Sequence, residues 1–169
     1  LVGSEMCIRD SWCLGELKKT LEVEGILENT LIIFSSDNGP VLNDGYYDDS
    51  DVKNLDHTPW GPFRGGKYSL FEAGTHVPFF TYWKGKIQPG VSDAMVSQLD
   101  ILSSLAQLVG SDVRTEDSFP LMDLLMGKTD QGRDELVIEA TSRTAFKKGD
   151  WVMIPPYEGP AVNEMVQIE

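Results

Sequence analysis

TLIIFSSDNGP, residues 30–40, is the stretch from which the rest of the chain can be read. Thr30 to Ser35 is an apolar, β-branched-rich run without alternation, the pattern of a strand covered on both faces as in a parallel sheet. It stops abruptly at Ser36-Asp37-Asn38-Gly39-Pro40, so a strand gives way to a loop where open α/β sheets bind their ligands. A carboxylate oxygen beside an amide oxygen suits a hard cation such as Ca2+ or Mg2+. The plain alternative is an Asx turn that merely closes the strand.

Working outward, Leu14, Leu17 and Leu21 fall on one helical face, and Gly25 followed by Ile26 supplies a left-handed cap, which predicts a helix over residues 12–25. On the other side, residues 41–62 are rich in Gly, Pro, Asn and Asp and show no period. A connection of that length inside a compact domain is usually functional. Val77 to Trp83 reads as a second buried strand, and Gln98 to Val109 as an amphipathic helix with Leu102, Leu105, Leu108 and Val109 inward. Ser97 and Asp100 form a capping-box pattern with Asp in place of Glu. Beyond Gly110 the pattern thins to short strands at 136–138 and 151–154.

Composition bounds the function. The 169 residues carry 27 Asp+Glu against 14 Lys+Arg, a net charge of −13, with 41% hydrophobic residues and a mean hydropathy of −0.20. That is enough apolar mass for a core. The acidic balance argues against a nucleic-acid partner, which requires a clustered basic face. No window is apolar enough for a membrane span. Cys7 and Cys13 form neither a CxxC pair nor a zinc pattern with histidine. The charge is also unevenly spread. Residues 37–56 hold Asp37, Asp44, Asp48, Asp49, Asp51 and Asp56 against Lys53, while residues 60–90 hold Arg64, Lys67, Lys84 and Lys86 against Glu72. An acidic loop adjoins a basic one.

Gly61-Pro62-Phe63-Arg64-Gly65-Gly66-Lys67 satisfies the GxxxxGK spacing of a phosphate-binding loop. Tyr68 lacks the hydroxyl geometry that a Ser or Thr offers Mg2+ there, and the preceding His57-Thr58-Pro59-Trp60 is not a buried strand. What survives is a glycine-rich turn that delivers Lys67, with Arg64 as a second candidate, toward an anion; the plain alternative is a solvated basic turn. Asp48-Asp49-Ser50-Asp51 invites a calcium-loop reading, which fails because Asn54 and Trp60 stand where Gly and Glu are needed. His57, a few residues before the glycine turn, is a candidate substrate donor or acid, whereas His76 suits a structural role.

In order along the chain, WCLGELKKTLEVEGILENT, TLIIFSSDNGP, GPFRGGKYSLFEAGTHVPFF, YWKGKIQPGVSD and VSQLDILSSLAQLVG resemble the C-terminal half of the catalytic domain of a formylglycine-dependent sulfatase. The resemblance spans residues 12–110 and thins through Arg133-Asp134-Glu135-Leu136-Val137 and Gly149-Asp150-Trp151. It implies an alkaline-phosphatase-like α/β sandwich with a mostly parallel sheet, present as a partial domain (12–112) plus the start of a smaller C-terminal subdomain (113–169). It also implies Ca2+ held partly by Asp37 and Asn38, and a sulfate contact from Lys67, so that Asn38 and Lys67 converge on one bound anion. A sulfated small molecule or polysaccharide follows as substrate, and a periplasmic or extracellular location for the complete protein. Residues 1–11, LVGSEMCIRDS, resemble translated adaptor DNA and are expected to be a non-native leader.

The chain departs from the family at the nucleophile, which requires Cys or Ser with Pro or Ala two residues on and Arg four residues on. Cys7 is followed by Arg9 and Ser11, Cys13 by Gly15 and Leu17, and Ser118 by Pro120 but then Met122. The formylglycine residue is therefore expected upstream, and a fragment without turnover of its own is the expectation. A phosphodiesterase or phosphonate hydrolase of the same superfamily, and a non-catalytic Ca2+-binding module, stand as alternatives. The loop from Val41 to Trp60 is expected to shape the leaving-group pocket.

Overall fold

The computed structural model of the chain describes residues 2–41, 49, 52 and 56–156. Most of the acidic run, including Asp48, Ser50 and Asp51, and with it most of the loop from Val41 to Trp60, lies outside the described residues.

Helix α1, Val2–Val23, begins earlier than the leucine pattern marks. It closes at Gly25 (φ 70°), with the Ile26 amide bonded to the Leu21 carbonyl, the Schellman arrangement that Gly25-Ile26 predicts. Leu14 and Leu21 are half-buried and Leu17 is exposed. A 3-10 turn, Leu27–Asn29, then buries Leu27, and the Trp83 indole nitrogen donates to the Glu28 carbonyl at 2.9 Å. These contacts carry the chain into strand β1, Ile32–Ser35.

Strand β1 pairs with β2, Phe79–Tyr82, in the register Ile32↔Tyr82 to Ser35↔Phe79, and Phe34 stacks on Phe80 with ring centroids 4.9 Å apart. The pairing is antiparallel, and both strands are half-buried rather than enclosed. This corrects the expectation of two buried strands in a parallel sheet. A continuous apolar run reports what each face touches, whereas strand direction is set by a non-local pairing that no local pattern encodes.

Helix α2, Glu72–Thr75, is a single turn between the glycine-rich segment and β2. Helix α3, Asp100–Val109, ends at Gly110 in the left-handed region (φ 69°). Its N-terminus carries half of the expected capping box, since the Asp100 carboxylate accepts from the Ser97 amide at 2.9 Å. The expected orientation of α3 is reversed. Leu102 is 51% and Val109 76% exposed, Leu105 and Leu108 also face outward, and Asp100, Ser103, Ser104 and Ala106 are buried. The polar face is the one that finds partners. Ser103 exchanges hydrogen bonds with Ser118, Ser104 Oγ accepts from the Leu121 amide, and Gln107 accepts from the Met122 amide ahead of helix α4, Met122–Leu125. Fully buried Asp100 forms a fork-on-fork pair with Arg133 (2.8 and 2.6 Å), whose guanidinium also lies over the Phe119 ring.

A second sheet follows, the antiparallel meander β3 (Glu135–Ala140), β4 (Arg143–Lys148) and β5 (Trp151–Met153). Thr141 and Ser142, both at positive φ (51° and 62°), form the two-residue turn between β3 and β4. Strand β4 is one that the hydrophobic pattern does not mark. No helix among the described residues is long and apolar enough to cross a membrane.

Candidate active site

The end of β1 is pinned before it turns. Gln98, just ahead of α3, donates from its side-chain amide to Ser35 Oγ at 2.8 Å and to the Ser36 carbonyl. Ser36 Oγ donates to the Asn38 carbonyl at 3.0 Å, and the Asp37 carboxylate accepts from the Asn38 amide at 3.0 Å. Asn38 Nδ2 donates to the Gly39 carbonyl at 2.8 Å, which turns Oδ1 away from that bond. Asp37 is exposed and Asn38 half-buried, so oxygen atoms of both side chains stand at the strand's carboxyl end.

A knot of glycines joins this strand end to the turn that carries Lys67. The Gly39 amide donates to the Gly74 carbonyl and the Lys67 amide to the Pro40 carbonyl, each at 2.9 Å. Neither contact tolerates a side chain. A Cβ on Gly39 would stand 1.7 Å from the Ala73 carbonyl oxygen, one on Gly66 2.5 Å from that of Pro40, and one on Gly74 2.3 Å from that of Ser69. The Lys67 segment is closed further by Ala73 N–H on the Arg64 carbonyl and by Ser69 N–H on the Gly66 carbonyl, both 3.0 Å. Buried Ser69 accepts the Phe71 amide on its hydroxyl.

The geometry therefore brings Asp37, Asn38 and Lys67 onto adjoining backbone segments. Lys67 is half-buried with its ammonium 5.2 Å from the Tyr68 ring centroid. The exposed Arg64 carries its guanidinium 4.1 Å over the Phe71 ring, a cation–π contact. His57 is exposed, on the segment leading into the turn closed by Gly61 N–H on the Thr58 carbonyl. His76 stacks on Phe63 and pairs with Glu72 at 3.1 Å, which is structural work. No group of three or more His, Cys, Asp or Glu side chains that could hold a metal occurs among the described residues. Asp37 and Asn38 thus offer part of an oxygen shell, where Ca2+ takes about 6–8 ligands.

Local sequence reasoning did not find Gln98, Glu72 or the C-terminal Lys147 that reaches Glu72. Glu72 and Lys147 are 75 positions apart, and no spacing rule links them.

A strand-end acid–amide pair is thus braced by glycine contacts against a lysine-bearing turn. The sulfatase family model matches residues 11–111, and the chain belongs to the sulfatase family. It is 38% identical over 169 residues to an N-acetylgalactosamine-6-O-sulfatase of Bacteroides thetaiotaomicron, covering 98% of this chain and 33% of that protein. Human arylsulfatase A is 34% identical over 125 residues, 73% of this chain and 23% of that protein. A solved structure from work on the metabolism of multiple glycosaminoglycans by Bacteroides thetaiotaomicron superimposes with a TM-score of 0.87 at 39% identity. It covers 94% of this chain and 34% of that one. The chain spans about a third of the length of this bacterial relative.

Proposed function

We propose that residues 12–112 form the C-terminal part of the catalytic domain of a sulfuric ester hydrolase, with residues 113–169 opening its C-terminal subdomain and residues 1–11 a leader foreign to it. In the complete protein the sheet is mostly parallel, as in the alkaline-phosphatase-like sandwich, and the outward leucine face of α3 packs against the rest of that domain. The substrate is an aryl or carbohydrate sulfate ester, and the compartment is periplasmic or extracellular. The single observation that carries the reading is the junction at Pro40, where the backbone of Lys67 is bonded to the strand end bearing Asp37 and Asn38.

In this reading Asp37 and Asn38 present a carboxylate and an amide oxygen to Ca2+. The donor set fits, since both are hard oxygen ligands and the Asn38 amide nitrogen is already committed to the Gly39 carbonyl. When bound, the ion draws negative charge from the sulfate oxygens. Lys67 binds one of those oxygens as an ammonium and stabilises charge that develops on the ester as the bond to sulfur breaks. A single such charge pair at ~4 Å and an effective dielectric of ~20 is worth about 4 kcal/mol before desolvation. The glycine knot fixes the backbone from which Lys67 reaches, so less ordering is left to substrate binding. The nucleophile of the complete protein is a formylglycine upstream of this segment. His57 is a further candidate for a substrate oxygen.

The test is turnover of an aryl sulfate and of 6-sulfated N-acetylgalactosamine by a complete catalytic domain carrying this segment. Lys67→Ala is expected to lower kcat/KM by at least about tenfold, a loss of roughly 1.4 kcal/mol in transition-state binding. An unchanged rate removes Lys67 from the site, and preferential cleavage of the matching phosphate ester overturns the sulfatase assignment.

A further inference from the structure

An ion pair between Glu72 and Lys147 ties the glycine-rich segment to the C-terminal sheet. Glu72 Oε1 accepts from Lys147 Nζ at 2.5 Å and from His76 Nδ1 at 3.1 Å. Several other ion pairs among the described residues have well-exposed side chains, as in Lys19–Glu16 and Lys128–Asp123, and such pairs contribute little. This one joins the start of α2 to β4 of the C-terminal sheet, with both side chains only about a quarter exposed (24% and 26%).

Its position matters more than its strength. Glu72 lies in the same closed segment as Lys67, bounded by the Ala73 amide on the Arg64 carbonyl, and is two residues from Gly74, whose carbonyl holds Gly39. The same sheet touches that segment a second time, through Thr141 Oγ1 at 3.5 Å from the Tyr68 carbonyl. Tyr68 holds φ at 70°, and its neighbour Lys67 lies in a turn closed by Ser69 N–H on the Gly66 carbonyl. Glycine or asparagine is what normally occupies such a turn position; a tyrosine there costs of order 1 kcal/mol and persists when its surroundings hold it. The C-terminal sheet provides two of those surroundings, one at Tyr68 itself and one four residues on at Glu72. The Glu72 carboxyl supports this: burial pushes its pKa up, yet the Lys147 and His76 contacts outweigh burial and hold it below its usual range.

We propose that Lys147 is a positioning residue for Lys67, acting through Glu72 to lock the glycine turn against the strand end that bears Asp37 and Asn38. The proposal rests on the role given to Lys67 above. It assigns the C-terminal sheet a part in setting the sulfate contact, by way of the loop rather than by touching substrate.

Amide hydrogen exchange on a complete catalytic domain carrying this segment tests the geometry without any assay of turnover. Lys147→Met, which keeps length and removes the charge, is expected to lower protection of the Lys67, Ser69 and Ala73 amides by about tenfold while α3 amides are unaffected. Lys147→Arg restores it. Glu72→Gln weakens the same bridge from the other end and gives the same local pattern if Lys147→Met does not fold. In a complete catalytic domain, Lys147→Met lowers kcat/KM for an aryl sulfate, and adds nothing further in a Lys67→Ala background. Unchanged protection, a loss spread evenly through α3, or an additive effect with Lys67→Ala overturns the proposal. If Lys67→Ala itself leaves turnover intact, the role of Lys67 falls, whereas exchange at its amide still reports on the brace.

Discussion

The amide of Lys67 donates to the carbonyl oxygen of Pro40 at 2.9 Å, so the lysine turn and the acid–amide strand end meet as backbone against backbone. A junction of this kind is rigid in a way that a side-chain contact is not. Its geometry depends on glycines that leave no room for a Cβ.

Gly74→Ala places a Cβ 2.3 Å from the Ser69 carbonyl oxygen and 2.6 Å from that of Gly66, both backbone atoms that cannot swing aside. A loss of about 2 kcal/mol or more in urea unfolding is expected. Gly15→Ala is the control. Gly15 lies inside α1 with nothing within 4 Å of a built Cβ, so alanine there stabilises by about 0.5–1 kcal/mol. Equal effects of the two substitutions contradict the knot.

Arg133→Met removes one half of the buried pair and leaves the Asp100 carboxylate, which is fully buried, with only the Ser97 and Phe119 amides. Breaking such a pair from one side costs roughly 3–5 kcal/mol. A denaturation midpoint within about 0.5 kcal/mol of wild type shows that the pair does not hold α3 to the segment around Phe119.

Acid weakens the contact between the C-terminal sheet and the Lys67 turn. The Glu72 carboxyl is pushed up by burial and, more strongly in sum, down by Lys147 and His76, so its folded pKa lies below the usual 4.5. A carboxyl lowered on folding contributes stability that is present above its unfolded value and lost as pH falls through its folded value. Urea unfolding of wild type and Glu72→Gln at about pH 7 and about pH 3 is the measurement. The two chains should differ at neutral pH and converge in acid, and a constant gap contradicts the assigned shift.

The 169-residue chain by itself is expected to cleave no aryl sulfate, because none of Cys7, Cys13 or Ser118 is followed by the Pro or Ala and Arg that the family's nucleophile requires. Catalytic turnover by the purified chain, above a Lys67→Ala control, contradicts this.

Much of the local structure was legible because it is encoded by neighbours. The cap at Gly25, the end of β1 at Ser35, the Ser97–Asp100 contact and the left-handed exit at Gly110 each depend on residues within one turn of each other. The membership of the chain in its family was also legible, from the order of its motifs. Arg64 was not. Its charge and its place in the turn suit an anion, but the proximity of Phe71 decides where it lies. The leucine face of α3 is exposed in this chain for a related reason. Periodicity locates an apolar stripe but does not say which face of a helix this chain covers, and here Asp100, Ser103, Ser104 and Gln107 find hydrogen-bond partners in the segment from Ser118 to Met122.

The sequence by itself determined where α1, β1 and α3 stop, which residues carry oxygen and ammonium groups, and that Cys7, Cys13 and Ser118 lack the nucleophile motif. Only the tertiary structure decided that β1 and β2 run antiparallel, that Gly39, Gly66 and Gly74 close the strand end onto the Lys67 turn, and that Lys147 reaches Glu72 from a separate sheet. Local propensities act over a few residues and leave a trace in spacing, whereas these contacts join segments whose meeting depends on the path of all the chain between them.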